Sequence, residues 1–176
     1  MGPVSFQILS NLHLETHPSY KDFSFPQAAH YLALLGDIGH VADNQLFAFL
    51  EEQNRNYSAV FFLLGNHEPY HMSWKTAKAK VRAFEAKINR KQHSSISGRF
   101  VFLDQTRYDV SDTLTVLGRT PFSSVPLGRE HAVEIRLVDF KDILQWTIDD
   151  HNDPHESDLA WLNAQVPQIT KEEPNR

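Results

Sequence analysis

Three short apolar segments, each ending at a polar loop, place the strongest constraint on the fold of this chain. They span residues 4–10, 31–35 and 59–64. Their lengths and their β-branched and aromatic side chains are typical of strands, and the third segment is apolar enough to be buried on both faces. We therefore expect a sheet whose strands end in polar loops.

Amphipathic segments follow the second and third predicted strands. Asp43 is a candidate N-cap for a helix that ends near residue 54, and Ser73 is one for a helix that ends near residue 88. Strands that alternate with helices pair in parallel through right-handed crossovers, so we expect an α/β fold. Shorter strands are predicted at 100–103, 108–110 and 114–117, followed by a loop at 118–129, a helix at 155–166 and a frayed tail at 171–176.

Composition excludes several classes of site. The 176 residues suit a single domain spanning 1–176, and a chain without cysteine forms no disulfide, zinc–thiolate site or iron–sulfur cluster. The 17 Lys and Arg against 22 Asp and Glu give a net charge of −5, which argues against general nucleic-acid binding. The sequence shows no signal peptide and no apolar run long enough to span a membrane, so we expect a cytoplasmic protein without membrane contact.

The loops after the three predicted strands carry the polar side chains of interest. They read Asn11-Leu12-His13, Gly36-Asp37-Ile38-Gly39-His40 and Gly65-Asn66-His67-Glu68. Because the carboxyl ends of parallel strands lie at one edge of a sheet, we expect these loops to meet. Imidazole, carboxylate and amide groups together suit a divalent metal ion bound through nitrogen and oxygen.

The same stretches resemble a known family. SNLHLE at 10–15, LGDI at 35–38 and LGNHE at 64–68 are similar to successive motifs of the calcineurin-like metallophosphoesterases. LGRTPFS at 117–123 and DLAWL at 158–162 resemble a fungal and bacterial branch of that family. The resemblance implies an α/β fold in which two sheets form a calcineurin-like β-sandwich flanked by helices.

The resemblance also implies a reaction. Two divalent ions, drawn from Mn, Fe or Zn, would activate water to hydrolyse a phosphomonoester or a phosphodiester. His13 would bind the first ion, Asp37 would bridge both ions, and Asn66 would bind the second. His67 would be catalytic, stabilising charge on the phosphate or donating a proton to the leaving group. Glu68 would fix its loop without binding metal.

The sequence departs from the family pattern in two places. Asn11 stands where the family has a metal-binding aspartate, so it is either a weaker, uncharged ligand or a turn residue. The family's two later histidine motifs do not occur before Arg176, so we expect a fold that is incomplete at its C-terminal end and metal binding that is weak or partial. Sheet edges left open in this way would favour self-association or a partner chain.

Three interpretations of the chain remain open on these observations. The first is metal-dependent hydrolysis of a phosphoester substrate, with activity that is intact or impaired. The second is a non-catalytic, phosphoesterase-like protein that binds or regulates a partner. The third is a truncated gene product.

Polar residues near or beyond the three motifs are assigned ordinary roles. His131, His151 and His155 are expected at the surface or at a helix cap, with a metal role as the alternative. His40 and His71 are expected as loop residues, with contact to substrate as the alternative. Arg119 is expected in solvent, with contact to a phosphate as its alternative.

Overall fold

A parallel sheet, a small antiparallel sheet and flanking helices make up the fold, so the predicted mixed α/β class is confirmed. The computed structural model describes residues 4–16, 19–91 and 98–172. In chain order the elements are β1 (Phe6–Leu9), β2 (Tyr31–Leu35), α1 (Asn44–Asn56), β3 (Ala59–Leu63), α2 (Trp74–Lys91), β4 (Arg99–Phe102), β5 (Thr106–Ser111), β6 (Leu114–Gly118), α3 (Glu130–Arg136), α4 (Asp139–Asp142) and α5 (Ile148–Glu172).

The parallel sheet has the strand order β1-β2-β3-β4. Phe6 aligns with Tyr31, Tyr31 aligns with Ala59, and Ala59 aligns with Arg99. Because the strands start level and differ little in length, they also end at one edge of the sheet. That edge is where the polar loops after β1, β2 and β3 begin.

Helices α1 and α2 cover one face of this sheet. Alternate strand residues, among them Leu34, Phe62 and Phe102, are buried against them together with Leu46 and Leu50 of α1. Burying one such side chain contributes about 1.5–3 kcal/mol to folding. The apolar stripe predicted on α2 is buried along its whole length: Ala77, Val81, Phe84 and Ile88.

The connection from β1 to β2 packs on the same face and has no helix in its described residues. Leu14 and Tyr20 are buried there, and Phe23 and Phe25 pack against the same core. The Tyr20 hydroxyl accepts the backbone N–H of His40 at 3.2 Å. Aromatic side chains therefore replace a crossover helix and tie this connection to the loop after β2.

The hairpin of β5 and β6 lies on the opposite face of the parallel sheet. The ring of Tyr108 in β5 meets that of Phe61 edge to face, with centroids 5.2 Å apart. The strands predicted at 108–110 and 114–117 are confirmed and form this hairpin, and β5 is longer than predicted because its pairing with β6 continues to Thr106 opposite Gly118. Both faces of β3 are thereby covered, as its apolar sequence requires.

Side chains of α2 cover the outer edge of β4. Asn89 donates to the carbonyl of Phe100 at 2.9 Å and accepts the N–H of the same residue at 3.0 Å. Glu85 accepts the N–H of Phe102 at 3.0 Å. These bonds pair backbone groups that an edge strand otherwise leaves open to another chain. Self-association through a sheet edge stays a prediction.

Both predicted N-caps are confirmed. Asp43 accepts the N–H of Gln45 at 2.8 Å at the start of α1. Ser73 accepts the N–H of Thr76 at 3.2 Å at the start of α2. Each side chain pairs a donor that the first helical turn leaves without a partner inside the helix.

The helix predicted at 155–166 extends further in both directions, as α5. Its start is fixed by Thr147 and Asp150, since each side chain accepts the backbone N–H of the other, at 3.1 and 3.0 Å. Pro154 lies inside the helix, whereas the prediction placed the start after it. Of the tail predicted to fray at 171–176, residues 171–172 belong to α5 and the rest lies outside the described residues.

Two short helices, α3 and α4, precede α5 and were not predicted. The segment that contains them is held by a small aromatic core in which Phe122, Ile143 and Trp146 pack with Tyr70. The N–H of His71 also donates to the carbonyl of Asp142 at 2.7 Å. These contacts place α4 over the loop that follows β3.

The described helices differ from membrane-spanning helices in their combination of length and hydropathy. Within residues 4–16, 19–91 and 98–172, no helix is both long and apolar enough to cross a bilayer. The longest, α5, reaches 25 residues but carries charged side chains along its length, such as Asp150, Asp158 and Lys171. The cytoplasmic location expected from the sequence stays a prediction.

Replacing Asn89 tests whether α2 stabilises the edge of β4. In Asn89→Ala the N–H and carbonyl of Phe100 lose their partners, which costs about 1–3 kcal/mol of unfolding free energy. Urea denaturation measures the loss. Lys87→Ala, at an exposed position of the same helix, serves as the control and changes stability by less than about 0.5 kcal/mol. Equal stability of the two variants would contradict this role for Asn89.

Candidate functional site

The loops after β1 and β2 keep pairing beyond the ends of their strands. The N–H of Asn11 donates to the carbonyl of Gly36 at 3.1 Å, and that of His13 donates to the carbonyl of Asp37 at 2.9 Å. The two loops therefore leave the sheet edge together. With the loop after β3 they form the strand-end site, defined here as residues 11–15, 36–40 and 65–70.

Two glycines allow the loops after β2 and β3 to approach closely. A Cβ on Gly36 would lie 2.9 Å from the Cα of Gly65, and a Cβ on Gly65 would lie 2.7 Å from the backbone nitrogen of Asp37. Gly36 also has a φ of +80°, where L side chains are strained. A side chain at either position would push the two loops apart.

Glu68 joins the same two loops through its carboxylate. Its side chain is fully buried. Oε1 accepts the N–H of Ile38 at 2.7 Å and that of Gly39 at 3.4 Å, while Oε2 accepts those of Gly65 at 2.6 Å and Asp37 at 3.0 Å. One side chain thus pairs backbone donors from the loop after β2 and from its own loop.

Groups around Glu68 shift the pKa of its carboxyl in opposite directions. The net effect raises the pKa of Glu68 to about 7, because burial raises it by more than the N–H donors of Ile38, Asp37 and Gly65 lower it. The nearby carboxylate of Asp37 adds a smaller upward effect. The contacts fit the ionised form, because every backbone partner of the carboxylate is a donor.

Several site residues have strained backbone angles. Asn11, His13 and Asp37 have φ values of +54°, +47° and +54°, in the left-handed region. Each such non-glycine residue costs on the order of 1–2 kcal/mol, and asparagine and aspartate tolerate the region best. The hydrogen bonds between the loops hold these angles, which turn the side chains of His13 and Asp37 out of the strand direction.

A carboxylate that the sequence analysis did not assign lies among the site histidines. Oε1 of Glu15 is 3.2 Å from Nδ1 of His13, 3.2 Å from Nδ1 of His67 and 3.8 Å from Nε2 of His40. The rings of His13 and His67 meet edge to face with centroids 4.4 Å apart. The Glu15 side chain is 10% exposed, and its Oε2 is buried without a hydrogen-bond partner.

The surroundings favour the charged form of Glu15. Burial raises the pKa of Glu15, but hydrogen bonds from its own backbone and from His13, with His40 and His67 close by, hold it below its usual range. For His40, burial dominates and lowers the pKa. The rings of His40 and His71, which were expected as loop residues, have centroids 5.3 Å apart at the border of this cluster.

Asn66 is held by groups from its own loop and from α4. Its Nδ2 donates to Oδ1 of Asp139 at 2.8 Å and to the Tyr70 hydroxyl at 3.2 Å. The Tyr70 hydroxyl in turn donates to the same oxygen of Asp139 at 2.6 Å. Burial and then Asp139 raise the pKa of Tyr70, which keeps its proton for this bond.

The expectation that Arg119 lies in solvent is wrong. Its side chain is only 13% exposed and forms an ion pair with Asp158 of α5 at 3.1 Å. Gln105 also donates to Asp158, at 2.9 Å. Because Asp158 lies on α5, the packing of this helix beside Arg119 buries the pair and directs Arg119 to a carboxylate of the chain itself.

The expectation that His151 lies at the surface or caps a helix is also wrong. The residue is 4% exposed, and its ring packs between those of Phe122 and Phe140, with centroids 5.1 and 5.8 Å away. Both ring nitrogens are buried without a hydrogen-bond partner. His155, one turn further along α5, places Nδ1 2.6 Å from the carbonyl of Phe122.

The residues of the strand-end site suit a metal ion in a different combination from the one that the resemblance implies. Among the described histidines and carboxylates, the group of three whose ligand atoms lie within 4.8 Å of one another is His13, Glu15 and His67. Asp37, the bridging residue of the resemblance, instead accepts the N–H of His67 at 3.1 Å through Oδ1. Asn66 is bonded to Asp139.

Glu15 and Asp139 are the residues that the sequence analysis missed. Glu15 follows His13 by two positions, and this His-x-Glu spacing was a usable signal for a second ligand in the same loop. Asp139 carried no such signal, since it reaches Asn66 only through the packing of α4.

Comparison with known proteins identifies a viral relative without an assigned activity. Uncharacterized protein L509 of Acanthamoeba polyphaga mimivirus is 23% identical over 154 residues, which are 83% of this chain and 53% of the relative. This chain therefore spans about half the length of that protein. No protein-family model matches the chain, and no solved structure matches it.

Replacing Glu68 tests its role in joining the loops. Glu68→Gln places an amide NH₂ against backbone donors, so at least one buried N–H loses its acceptor and unfolding free energy falls by about 2–4 kcal/mol. Urea denaturation checks this. Glu134→Gln, exposed on α3, is the matched control and stays within about 0.5 kcal/mol of the parent. A stable Glu68→Gln protein would contradict the role.

Proposed function

We propose that this chain is a phosphoester hydrolase of the calcineurin-like type, with substrate bound at the strand-end site. The observation that carries the proposal is the convergence of His13, Asp37 and His67 from three different loops. His13 and His67 have ring centroids 4.4 Å apart, and Asp37 accepts the N–H of His67 at 3.1 Å. The motif resemblance supplies the reaction, hydrolysis of a phosphomonoester or phosphodiester.

Divalent metal ions, as in that family, would supply a hydroxide nucleophile and offset phosphate charge. The residues of the chain contribute orientation and proton transfer. Glu15 lies 3.2 Å from Nδ1 of His67, so Nε2 is the nitrogen of that ring left for a leaving group. The left-handed backbone of Asp37 and its bond to His67 hold the carboxylate in place.

A cavity beside Asn66 is large enough for a substrate. Its volume is about 360 Å³, within the range of small-molecule sites in proteins. Asn66, Asp139 and Thr120 provide polar groups on its wall, and His151 and Phe122 contribute ring atoms. We propose that the organic part of the phosphoester occupies this cavity while its phosphate faces the histidines.

A non-catalytic binding protein is the second candidate, and two contacts favour it. Asn66, assigned to a metal by the resemblance, donates its amide to Asp139 at 2.8 Å. Asn11 is exposed and donates to the hydroxyl of Ser10 at 3.1 Å. The resemblance assigns both asparagines to metal ions, but each is bonded to another group of the chain, and an amide brings no negative charge to a metal.

Asp37 provides the direct test of hydrolysis. Asp37→Asn keeps a residue that tolerates a positive φ but removes the carboxylate charge. We expect kcat/KM for an aryl phosphodiester and an aryl phosphomonoester, assayed with added Mn²⁺, to fall by about 100-fold or more. The spectrophotometric release of the aryl alcohol measures the rate.

Asp112→Asn is the matched control, because Asp112 is exposed at the turn of the β5–β6 hairpin. Its rate should stay within about twofold of the parent, as for a surface change remote from the site. A rate in Asp37→Asn equal to that of the control would overturn hydrolysis at the strand-end site. Absence of turnover from the folded parent with Mn²⁺, Fe²⁺ and Zn²⁺ would favour the binding protein.

A further inference from the structure

The environment of Glu15 is unusual for a carboxylate with a purely structural role. Its Oε1 has Nδ1 atoms of His13 and His67 at 3.2 Å each. Its Oε2 is buried with no hydrogen-bond partner, although the side chain is only 10% exposed. A buried carboxylate with one oxygen lacking a donor is short of partners as a group, and a cation at Oε1 would offset the charge that its two oxygens share.

The spacing of these three side chains matches the ligand shell of a metal ion. Ligand atoms at 2.0–2.2 Å from a tetrahedral ion are about 3.3–3.6 Å apart, and at octahedral angles about 2.8–3.1 Å apart. The two Nδ1-to-Oε1 distances of 3.2 Å fall between these values, and all three ligand atoms lie within 4.8 Å of one another. Small side-chain adjustments would complete a shell around one ion.

The exposure of the three side chains also suits a bound ion. His13 is 35% exposed and His67 is 31% exposed, so solvent reaches the site from their side. Glu15 forms the buried floor, where low dielectric strengthens its attraction for a cation. An ion held there would keep open positions toward solvent for water or a substrate oxygen.

We infer that His13, Glu15 and His67 together bind a single divalent transition-metal ion of the Zn²⁺ class. Two imidazoles and one carboxylate are nitrogen and oxygen ligands that this class accepts, and a three-residue set leaves at least one position open. The ligand set differs from the one implied by the resemblance, since it replaces Asp37 and Asn66 with Glu15 and His67.

This inference does not rest on phosphoester hydrolysis. A chain that turns over no phosphoester can still bind the ion through these side chains. The two proposals agree on the role of His67, because coordination through Nδ1 leaves its Nε2–H free to donate to a leaving group. They differ in the number of ions, which the stoichiometry of binding decides. Metal binding is therefore measured without substrate, so that its failure and a failure of hydrolysis are told apart.

Titration of the full chain, stripped with a chelator, provides the test. Calorimetry with Zn²⁺ gives the stoichiometry, and the visible absorption of Co²⁺ reports an ion in a histidine environment. We expect one ion per chain. Glu15→Gln and His67→Gln should each weaken Zn²⁺ binding by at least about 100-fold, since loss of an outer-shell partner alone costs about 10–100-fold.

Matched controls and one discriminating variant complete the design. Glu134→Gln and His131→Gln, both at exposed positions of α3, should leave the affinity unchanged. Asp37→Asn should weaken binding less than about 10-fold, because Asp37 bonds to the backbone N–H of His67 and not to its ring, and an asparagine oxygen can accept the same N–H. Because His67 is partly exposed, His67→Gln should fold even where Glu15→Gln does not.

Four results would overturn the inference. The first is uptake of two ions per chain, and the second is no binding at 100 µM Zn²⁺, a concentration roughly tenfold above the weak end of the range for Ca²⁺ sensor sites. The third is unchanged affinity in folded His67→Gln. The fourth is a loss in Asp37→Asn as large as that in His67→Gln, which would place the ion at the position implied by the resemblance.

Discussion

The buried carboxylate of Glu68 is the constraint on which the strand-end site depends. It lies at the end of β3 and accepts backbone N–H groups of Ile38 and Gly65, among others, so it fixes the distance between two loops that otherwise have few bonds to each other. Four N–H donors offset part of the cost of burying its charge. The close approach of Gly36 and Gly65 is possible only because neither has a side chain.

The rest of the fold positions and shields this edge of the sheet. The level register of β1, β2 and β3 makes their carboxyl ends adjacent, and α1 and α2 bury the face beneath them. On the far side, the aromatic core around Trp146 holds α4 over the loop after β3, which brings Asp139 to Asn66. The segment after β6 therefore adds a carboxylate to a site built by the first three strands.

Much of the fold was predictable from local patterns, whereas parts of the site were not. Strands, N-caps at Asp43 and Ser73, and the buried stripe of α2 depend on neighbours within a few positions, so the sequence indicates them. The Glu15 carboxylate contacts the His67 ring because the backbone of His13 has a positive φ, which changes the direction of the loop after β1. The burial of His151 arises from Phe122 and other rings far away in sequence. Such contacts exist only after tertiary packing, and no periodicity encodes them.

The carboxylates of the site differ in how far the chain itself satisfies them, and this difference separates structural from chemical roles. Glu68 has a donor at every available position and no exposure, so nothing else can bind it without unfolding the loops. Asp37 accepts one N–H at Oδ1 and is partly exposed. Glu15 has two imidazoles at one oxygen and no partner at the other. A buried carboxylate that is short of donors stabilises a bound cation most, because few hydrogen bonds have to be broken when the cation binds. By this reasoning Glu15, rather than the fully bonded Glu68, is the carboxylate of the strand-end site that is suited to exchange partners during function.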